Sequence, residues 1–322
     1  MSRVVLTGAA GFLGSHIAEA LTARGEDVVG LDNFDAFYPR AVKEANLAGL
    51  RASPRFRLVE GDIRDAALVR RTLEGASVVV HLAARAGVRP SLADPELYAS
   101  VNVGGTTTLL EATRAAGIRA FVFAGSSSVY GDSAPVPFRE DWAATDPISP
   151  YAATKRAGEL LCSTFVHLYG MRIISLRFFT AYGPRQRPDL AIHAFTRLIA
   201  AGRPVPRFGD GSTERDYTYV DDIVGGVVPA VDWARQGGPS FEIVNLGESR
   251  TTRLDRLIEL IGQALGVTPA VEERPLQPGD VRRTCADIAK AQRLLGYRPT
   301  TTVEEGIPRF VEWYRGSHGR QT

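Results

Sequence analysis

The chain has 322 residues, of which 44% are hydrophobic and 23% are charged, and its formal net charge at pH 7 is +2. These values are typical of a globular protein with a sizeable core, and they give no charge surplus for binding nucleic acid or an anionic membrane. No apolar stretch approaches the roughly 20 residues of a membrane span, and "VVLTG" begins too early to leave room for a signal peptide, so we expect a cytoplasmic protein.

Short apolar runs alternate with longer amphipathic stretches in the first 180 residues. The continuous β-branched character of these runs is typical of parallel strands buried on both faces, and helical patterns lie between most of them. The sequence therefore predicts an α/β fold, a Rossmann-type doubly wound parallel sheet with crossover helices. The candidate strands are 3–7, 27–31, 56–60, 77–82, 120–124 and 172–178.

The regular alternation ends near residue 180, where Pro and Gly become frequent. A helical stretch near 221–235 and the strand-like run "FEIVNLG" at 241–247 then return to the first sheet. We therefore predict a Rossmann-type domain at 1–179, which 221–247 rejoins, and a smaller mixed lobe. The predicted lobe consists of 180–220 and 248–322.

The cysteines and histidines predict neither disulfides nor a metal site. Cys162 and Cys285 are the two cysteines of the chain, too few for a disulfide framework and without metal-ligand spacing. The five histidines are scattered, with no HxxxH or HxH pair. We expect reduced thiols and structural histidines.

The segment "TGAAGFLGSH" at 7–16 follows the first candidate strand and opens a helix. Gly8, Gly11 and Gly14 let the backbone approach a pyrophosphate, which the unpaired N–H groups of the helix amino terminus then bind. A plain tight turn also explains three glycines, but the position between a strand and a helix favours a dinucleotide site. Asp32 ends the second strand, where an acid accepts hydrogen bonds from ribose hydroxyls and repels a 2′-phosphate, so we predict NAD rather than NADP. A helix-capping role is the alternative for Asp32.

Further candidate cofactor contacts lie at the carboxyl ends of the strands. Asp62 follows the third strand and is placed to hydrogen-bond the adenine, and the small residues after the fourth strand leave room for the cofactor. The predicted NAD-binding residues are Gly8, Gly11, Phe12, Leu13, Gly14, Asp32, Asn33, Asp62, Ile63, Leu82, Ala83, Ala84, Asn102, Tyr151 and Lys155.

The candidate catalytic residues are Tyr151, Lys155 and Ser126. "SPYAATKRAGE" at 149–159 starts a helix, on which the tyrosine and the lysine stand four apart and share one face. A free tyrosine has a pKa near ~10, and a neighbouring ammonium together with the positive nicotinamide ring favours the phenolate. Ser126 then shares the proton path. In isolation the pair also fits an exposed surface, but after a dinucleotide cradle it predicts oxidation of a secondary alcohol by hydride transfer to NAD.

These motifs together resemble the extended short-chain dehydrogenase/reductases that act on nucleotide sugars, over essentially the whole chain. The residues that carry the resemblance are TGxxGFLG, Asp32, "SSSVYG" and YxxxK. The resemblance implies that the smaller lobe binds a nucleotide diphosphate, with Arg215 paired with it, Arg187 nearby and Asp280 on the nucleotide ribose. Guanidinium groups suit that double charge. The substrate-binding residues that we predict are Ser127, Ser128, Thr180, Arg89, Arg187, Arg215 and Asp280.

The three serines indicate which reaction of that family to expect. Members share a first step, in which the tyrosine takes the sugar O4 proton and the C4 hydride goes to NAD. The 4,6-dehydratases carry Asp-Glu where Ser127 and Ser128 stand, and the decarboxylases carry Glu at the second position. A serine cannot replace those acids without an activating base. The resemblance therefore implies a 4-epimerase, in which the 4-keto sugar rotates and takes the hydride back on its opposite face, although a polar turn also explains the serines.

The sugar is predicted from a closer resemblance to UDP-glucuronate 4-epimerases. Oxidation of glucuronate at C4 makes a β-keto acid that readily loses carbon dioxide, and Ser127, Ser128 and Thr180 would hold its carboxylate out of the orientation for cleavage. The alternative is a UDP-glucose 4-epimerase, a class that usually has Asn at the position of Thr180 and Arg at that of Gln277. The stretches that carry this resemblance are "DNFDAFY", "ARAGVRPSL", "RFFTAYGP" and "LQPGDV".

A non-catalytic NAD-binding sensor and a net dehydrogenase are the alternatives to an epimerase. A non-catalytic NAD-binding sensor typically loses the tyrosine or the lysine, and both are present here. A net dehydrogenase would release free NADH, whereas an epimerase recycles its cofactor. Helical stretches near 95–116 and 151–169 are candidates for pairing in a homodimer, as is usual in this family, and a monomer with those faces in solvent is the alternative.

Overall fold

The computed structural model describes residues 2–275 and 281–318, and its centre is a parallel sheet. The strands are Arg3–Thr7 (β1), Asp27–Asp32 (β2), Phe56–Glu60 (β3), Val78–His81 (β4), Ala120–Ser126 (β5), Arg172–Phe178 (β6), Thr180–Tyr182 (β7), Val205–Phe208 (β8), Glu214–Arg215 (β9), Tyr217–Tyr219 (β10), Ser240–Leu246 (β11), Thr252–Arg253 (β12) and Val271–Arg274 (β13). Seven of them form the sheet in the order β11-β6-β5-β4-β1-β2-β3. The prediction of a Rossmann-type sheet is confirmed.

Helices cover both faces of this sheet and build the lobe. They are Phe12–Ala23 (α1), Arg40–Asn46 (α2), Ala66–Thr72 (α3), Val88–Ala93 (α4), Pro95–Tyr98 (α5), Thr106–Ala115 (α6), Pro150–Tyr169 (α7), Ala191–Ala200 (α8), Val220–Arg235 (α9), Leu254–Leu265 (α10), Ala289–Leu295 (α11) and Val303–His318 (α12). No helix of the described residues combines the length and the apolar character that a bilayer crossing requires.

Successive strand residues enter different cores, as the continuous apolar runs predicted. In β1, Val4 packs with α1 and α9, whereas its neighbour Val5 packs with α3, α6 and α7. Both are fully buried. Side chains of a strand alternate between its faces, so a run without polar interruption serves two helical layers at once.

The chain leaves the sheet after β6 and returns to it with β11. Ser240 lies opposite Arg172, and the parallel register continues to the pair Leu246 and Phe178. The lobe has a separate core in which α8, α10 and α12 pack together around residues such as Phe310. Three two-stranded pairs, β7 with β10, β9 with β12 and β8 with β13, surround that core.

The predicted helix near 95–116 is interrupted in the structure. A short α5 is followed by a π-helical segment at Ala99–Gly105 and then by α6. A Cβ added at Gly105 would lie 2.5 Å from the end of the Ile63 side chain, so Ile63 would have to move to accommodate a larger residue there. Wider π-type turns inside helices are frequent at functional sites.

Candidate active site

A cavity of about 470 Å³ lies at the carboxyl ends of the central strands. This is where open parallel sheets bind ligands, because the loops that leave neighbouring strands diverge there. The predicted residues that line it are Gly8, Gly11, Phe12, Leu13, Gly14, Asp32, Asn33, Asp62, Ile63, Leu82, Ala83, Ala84, Ser126, Ser127, Ser128, Tyr151, Lys155, Thr180 and Arg187.

The glycine turn between β1 and α1 has the geometry of a phosphate cradle. Gly8 has φ +73°, and a Cβ on Gly14 would lie only 2.0 Å from the Gly8 carbonyl oxygen. Helix α1 begins at Phe12 without a side-chain cap, so its first N–H groups are left for a ligand. The cradle therefore fits a dinucleotide pyrophosphate.

Asp32 lies at the end of β2, where a dinucleotide ribose would bind. Its two carboxylate oxygens accept hydrogen bonds from the backbone N–H groups of Ala10 (3.0 Å) and Phe34 (2.8 Å). The Lys43 ammonium is 3.8 Å away and almost fully buried. Because a carboxylate has about four acceptor positions, Asp32 retains capacity for ribose hydroxyls.

Asp62 is held ready as a charged acceptor in the same cavity. The Arg64 side chain donates two hydrogen bonds to it, and the Asn33 amide donates a third at 3.0 Å. Arg64 is the main reason that the pKa of Asp62 is lowered to about 2. The carboxylate is therefore ionised at every pH at which the protein would work.

The catalytic candidates come from β5 and from the first turns of α7. The Ser149 hydroxyl caps that helix by accepting a hydrogen bond from the Ala152 N–H at 3.1 Å, and Pro150 occupies the first helical position. Tyr151 and Lys155 then face the cavity one turn apart. The Lys155 ammonium donates to the Ala124 carbonyl at 2.8 Å, which anchors α7 to β5.

Burial shifts the pKa values of Tyr151 and Lys155 in opposite directions. Burial raises the pKa of Tyr151, while a hydrogen bond with Ser126 and the charge of Arg187 lower it. Burial lowers the pKa of Lys155 to about 8, against the charge of Glu159. The expected effect of Lys155 on the phenolate stays a prediction: its ammonium donates to the Ala124 carbonyl, while Ser126 and Arg187 oppose the effect of burial on the pKa of Tyr151.

A buried hydrogen-bonded network lies behind these residues and was not predicted. His81 Nδ1 is 2.7 Å from the Thr7 hydroxyl, and its Nε2 is 2.9 Å from the Thr106 hydroxyl. Thr106 donates to the Asn102 carbonyl, so its oxygen accepts from His81 Nε2–H. Burial lowers the pKa of His81 to about 3. The ring is therefore neutral, with one tautomer selected by its partners.

Asn102 continues the network to the catalytic helix. Its side-chain amide donates to the Arg85 carbonyl and to the Thr154 hydroxyl, each at 3.0 Å, and its oxygen accepts from the Arg85 N–H. Thr154 donates to the Tyr151 carbonyl at 2.8 Å. Asn102, predicted as a cofactor contact, is fully enclosed by protein and does not line the cavity.

The serine turn and Thr180 bring hydroxyls to one end of the cavity. The Ser126 Oγ accepts the Ser128 N–H at 3.2 Å, which closes the tight turn Ser127–Tyr130. Ser126 also lies opposite Phe178 in the sheet register, two residues before Thr180. Parallel pairing of β5 with β6 thus delivers four hydroxyls to the same place.

Of the three arginines that we predicted to bind the substrate, one lines the cavity and two do not. Arg187 lines the cavity and pairs with Asp189 at 2.7 Å. Arg215 and Arg89 do not line it: the Arg215 guanidinium donates to backbone carbonyls of its own region, and that of Arg89 lies 4.9 Å from the Phe208 ring centre. Asp280, like Gln277, lies outside the described residues.

Several cavity residues were missed from the sequence, among them four with large aromatic or cationic side chains. Tyr38 and Phe37 are in the loop after β2, Lys43 is on α2, and Arg85 follows β4. The sequence did contain a signal for Phe37 and Tyr38. Two large aromatic side chains in a polar loop, next to the acid predicted to bind the cofactor, indicate a binding surface.

Comparisons with known proteins agree with this geometry. The family model described as "NAD dependent epimerase/dehydratase family" matches residues 4–247. "UDP-glucuronate 4-epimerase 3" of Arabidopsis thaliana is 42% identical over 97% of this chain and 76% of its own length, and "UDP-glucuronate 4-epimerase" of Thermodesulfobacterium geofontis is 39% identical over 97% and 96%. The crystal structure of UDP-glucuronic acid 4-epimerase from Bacillus cereus, in complex with UDP-glucuronic acid and NAD, superposes with a TM-score of 0.93 at 34% identity, covering 98% of this chain and 100% of that one.

Proposed function

The chain belongs to the NAD dependent epimerase/dehydratase family, and we propose that it is a UDP-glucuronate 4-epimerase that interconverts UDP-glucuronate and UDP-galacturonate. The observation that carries the proposal is the cluster of Ser127, Ser128 and Thr180 beside Tyr151 in one cavity. Neither the serine turn nor β7 carries a carboxylate. The site is thus equipped to oxidise and reduce C4, but it has no acid there to eliminate water.

The cofactor cradle fits NAD. NAD, when bound, accepts the hydride of the sugar C4 and returns it to the opposite face of the ring. Gly8, Gly11 and Gly14 would hold its pyrophosphate, and Asp32 its adenosine ribose, whose 2′ position would be too close to a carboxylate for a phosphate.

Tyr151 is the proposed proton acceptor for the sugar O4 hydroxyl. Burial raises the pKa of Tyr151 above its ordinary value, and the hydrogen bond with Ser126 and the charge of Arg187 oppose that rise and favour the phenolate. Lys155 is held by Ala124 one helical turn away. General bases of this kind typically contribute about 10²–10⁴ in rate. The same phenol returns its proton to O4 when the 4-keto sugar is reduced.

The hydroxyl cluster provides a reason for epimerisation without decarboxylation. A 4-keto glucuronate is a β-keto acid, and it loses carbon dioxide most readily when the bond to the carboxylate aligns with the carbonyl π system. Hydroxyls of Ser127, Ser128 and Thr180 would hold the carboxylate out of that alignment, and a hydroxyl cannot act as the missing acid without a base.

We also propose a homodimer formed through α6 and α7. These two helices pack against each other on one side of the sheet, and α7 exposes Leu160 (54%) and Leu168 (59%). Two such residues two turns apart make an apolar stripe that a second copy would bury. Leu160→Arg should yield a monomer by light scattering, whereas Leu92→Arg, which changes an equally exposed leucine on α4, should not.

We place the protein in the cytoplasm. Both cysteines are free, and Cys162 is fully buried on the inner face of α7, which is usual for a chain that folds under reducing conditions. Fractionation of cells that express the chain would check this location, and recovery from an oxidising compartment would contradict it.

The test of the proposed reaction is an NMR time course with the purified protein and UDP-glucuronate, without added cofactor. UDP-galacturonate should appear without carbon dioxide. UDP-glucose is run in parallel, and formation of UDP-galactose in that tube alone would overturn the sugar assignment. Inactivity in both tubes after NAD is added would refute the proposal.

Two variants of Ser128 test whether the hydroxyl cluster prevents decarboxylation of the 4-keto sugar. Ser128→Glu introduces an acid beside the 4-keto sugar, and we expect it to release carbon dioxide at a measurable fraction of turnovers. Ser128→Ala is the matched control, which removes one hydrogen bond without adding an acid. If the two variants release equal amounts of carbon dioxide, the hydroxyl cluster does not determine the outcome.

A further inference from the structure

Phe37 lies where three separate segments of the chain meet over the cavity. It belongs to the loop between β2 and α2, and its ring centre is 4.8 Å from the Arg85 guanidinium carbon and 5.1 Å from that of Arg187. Arg85 follows β4, and Arg187 belongs to the lobe. All three side chains line the cavity. Guanidinium groups at these distances are attracted to the ring face.

Each guanidinium is also fixed by a carboxylate. Arg85 pairs with Asp35 of the same loop as Phe37, and Arg187 pairs with Asp189. The Arg85 Nε is buried and has no hydrogen-bond partner among the described residues. Among the described residues, this guanidinium is held by Asp35 and the ring of Phe37, with the ring of Tyr98 farther away at 6.0 Å.

Phe37 is not part of a hydrophobic core. It is absent from the three apolar clusters, whereas Phe34 of the same loop belongs to the large cluster next to α1 and α9. The loop is anchored independently, because the Lys43 ammonium donates to the Asp35 carbonyl at 3.0 Å. A role for Phe37 in folding is thus not needed to explain its position.

We propose that Phe37 is a positioning residue that clamps Arg85 and Arg187 together across the cofactor groove, so that NAD stays bound until turnover is complete. This inference rests on the proposed function. An epimerase that loses its reduced cofactor before the hydride returns is left inactive with a 4-keto product. The loop between Asp32 and Lys43 lines the cavity next to the proposed ribose acceptor, and the two cation–ring contacts join this loop to the end of β4 and to the lobe.

The experiment compares the cofactor content of the wild type and four variants after gel filtration. Phe37→Ala removes the ring, Phe37→Leu keeps most of its volume without an aromatic face, and Phe37→Tyr keeps the face. Arg40→Met is the matched control, because the Arg40 guanidinium lies 4.2 Å from the ring centre of Phe34 on the same loop but does not line the cavity.

We expect Phe37→Ala and Phe37→Leu to lose NAD at least about tenfold faster than the wild type, as two lost cation–ring contacts imply. Their turnover should depend on added NAD, because cofactor that is lost must be replaced, and the apparent KM for NAD should rise. Phe37→Tyr and Arg40→Met should retain NAD.

Retention of NAD by Phe37→Ala at the wild-type rate would overturn the clamp. Retention by Phe37→Leu would also overturn it, because packing alone would then suffice. Loss in Arg40→Met equal to that in Phe37→Ala would show that any disturbance of the loop has the same effect. If the wild-type protein neither carries nor binds NAD, the proposed function itself fails, which is a separate result.

Discussion

The buried ion pair behind the catalytic lysine makes a quantitative prediction. Glu159 is fully buried one turn after Lys155, and its oxygens accept two hydrogen bonds of 2.8 Å from Arg177, which is 1% exposed. Glu159→Met leaves that guanidinium without a counter-charge. Loss of one partner of a buried pair costs about 3–5 kcal/mol, which at about 2 °C per kcal/mol corresponds to a drop in Tm of about 6–10 °C.

The assay is a double-mutant cycle by urea denaturation. Glu159→Met and Arg177→Met should each destabilise the protein, whereas the double variant removes both charges and should recover at least about 2 kcal/mol relative to Glu159→Met. Because Glu159 raises the pKa of Lys155, which burial lowers to about 8, residual activity in Glu159→Met should fall more at pH 8 than at pH 6. A double variant no more stable than the singles would refute this reasoning.

Three further predictions follow from single positions. Gly14→Ala places a Cβ 2.0 Å from a backbone oxygen and should weaken NAD binding by about 3 kcal/mol in calorimetry. Gly225→Ala, which has open space around it, should not weaken NAD binding. Equal losses of NAD affinity in the two variants would contradict the assignment of the glycine turn as the pyrophosphate site. Tyr151→Phe should lower kcat by about 10²–10⁴ while NAD remains bound, and a loss under tenfold would exclude Tyr151 as the base. Burial, with Asp222 and Asp216 nearby, raises the pKa of Glu248 from 4.5 to about 7, so the folded state loses stability as the pH rises from 4.5 to 7. Glu248→Gln should therefore stabilise the protein by on the order of 2 kcal/mol at pH 8 and not at pH 5. An equal gain in the free energy of unfolding at both pH values would contradict the raised pKa.

The sheet was predictable from the sequence because its signals are local. A strand such as β1 is buried on both faces, so five consecutive residues carry the pattern without reference to the rest of the chain. The glycine turn and the pair Tyr151 and Lys155 are equally local, since one turn and one helix face bring their members together. The extent of the helical stretch near 95–116 was also predictable, since helical turns run from Pro95 to Ala115, but no local signal indicated that Ala99–Gly105 is π-helical.

The rest of the site depends on partners that no spacing indicates. His81 bonds Thr7 and Thr106, which lie 74 and 25 residues away. Arg187 and Arg215 are both arginines in a polar region of the lobe, and only the folded chain shows that the first lines the cavity and the second does not. Residues that are distant in sequence and meet only in the folded chain produce no periodic pattern from which their contacts could be predicted.

The pairing of β11 with β6 has a consequence for how the protein is made. The partners Arg172 and Ser240 are 68 positions apart, so at about 5–20 residues per second the ribosome needs roughly 3–14 seconds to supply the second strand after the first. During that interval the "RIISLRF" strand is an open edge, to which another nascent chain could add. Arg172 puts a charge at the start of this edge, and charged side chains on an unpaired edge oppose such association. We therefore expect replacement of Arg172 by an apolar residue to reduce the yield of native protein during synthesis more than it reduces the yield when the complete chain refolds.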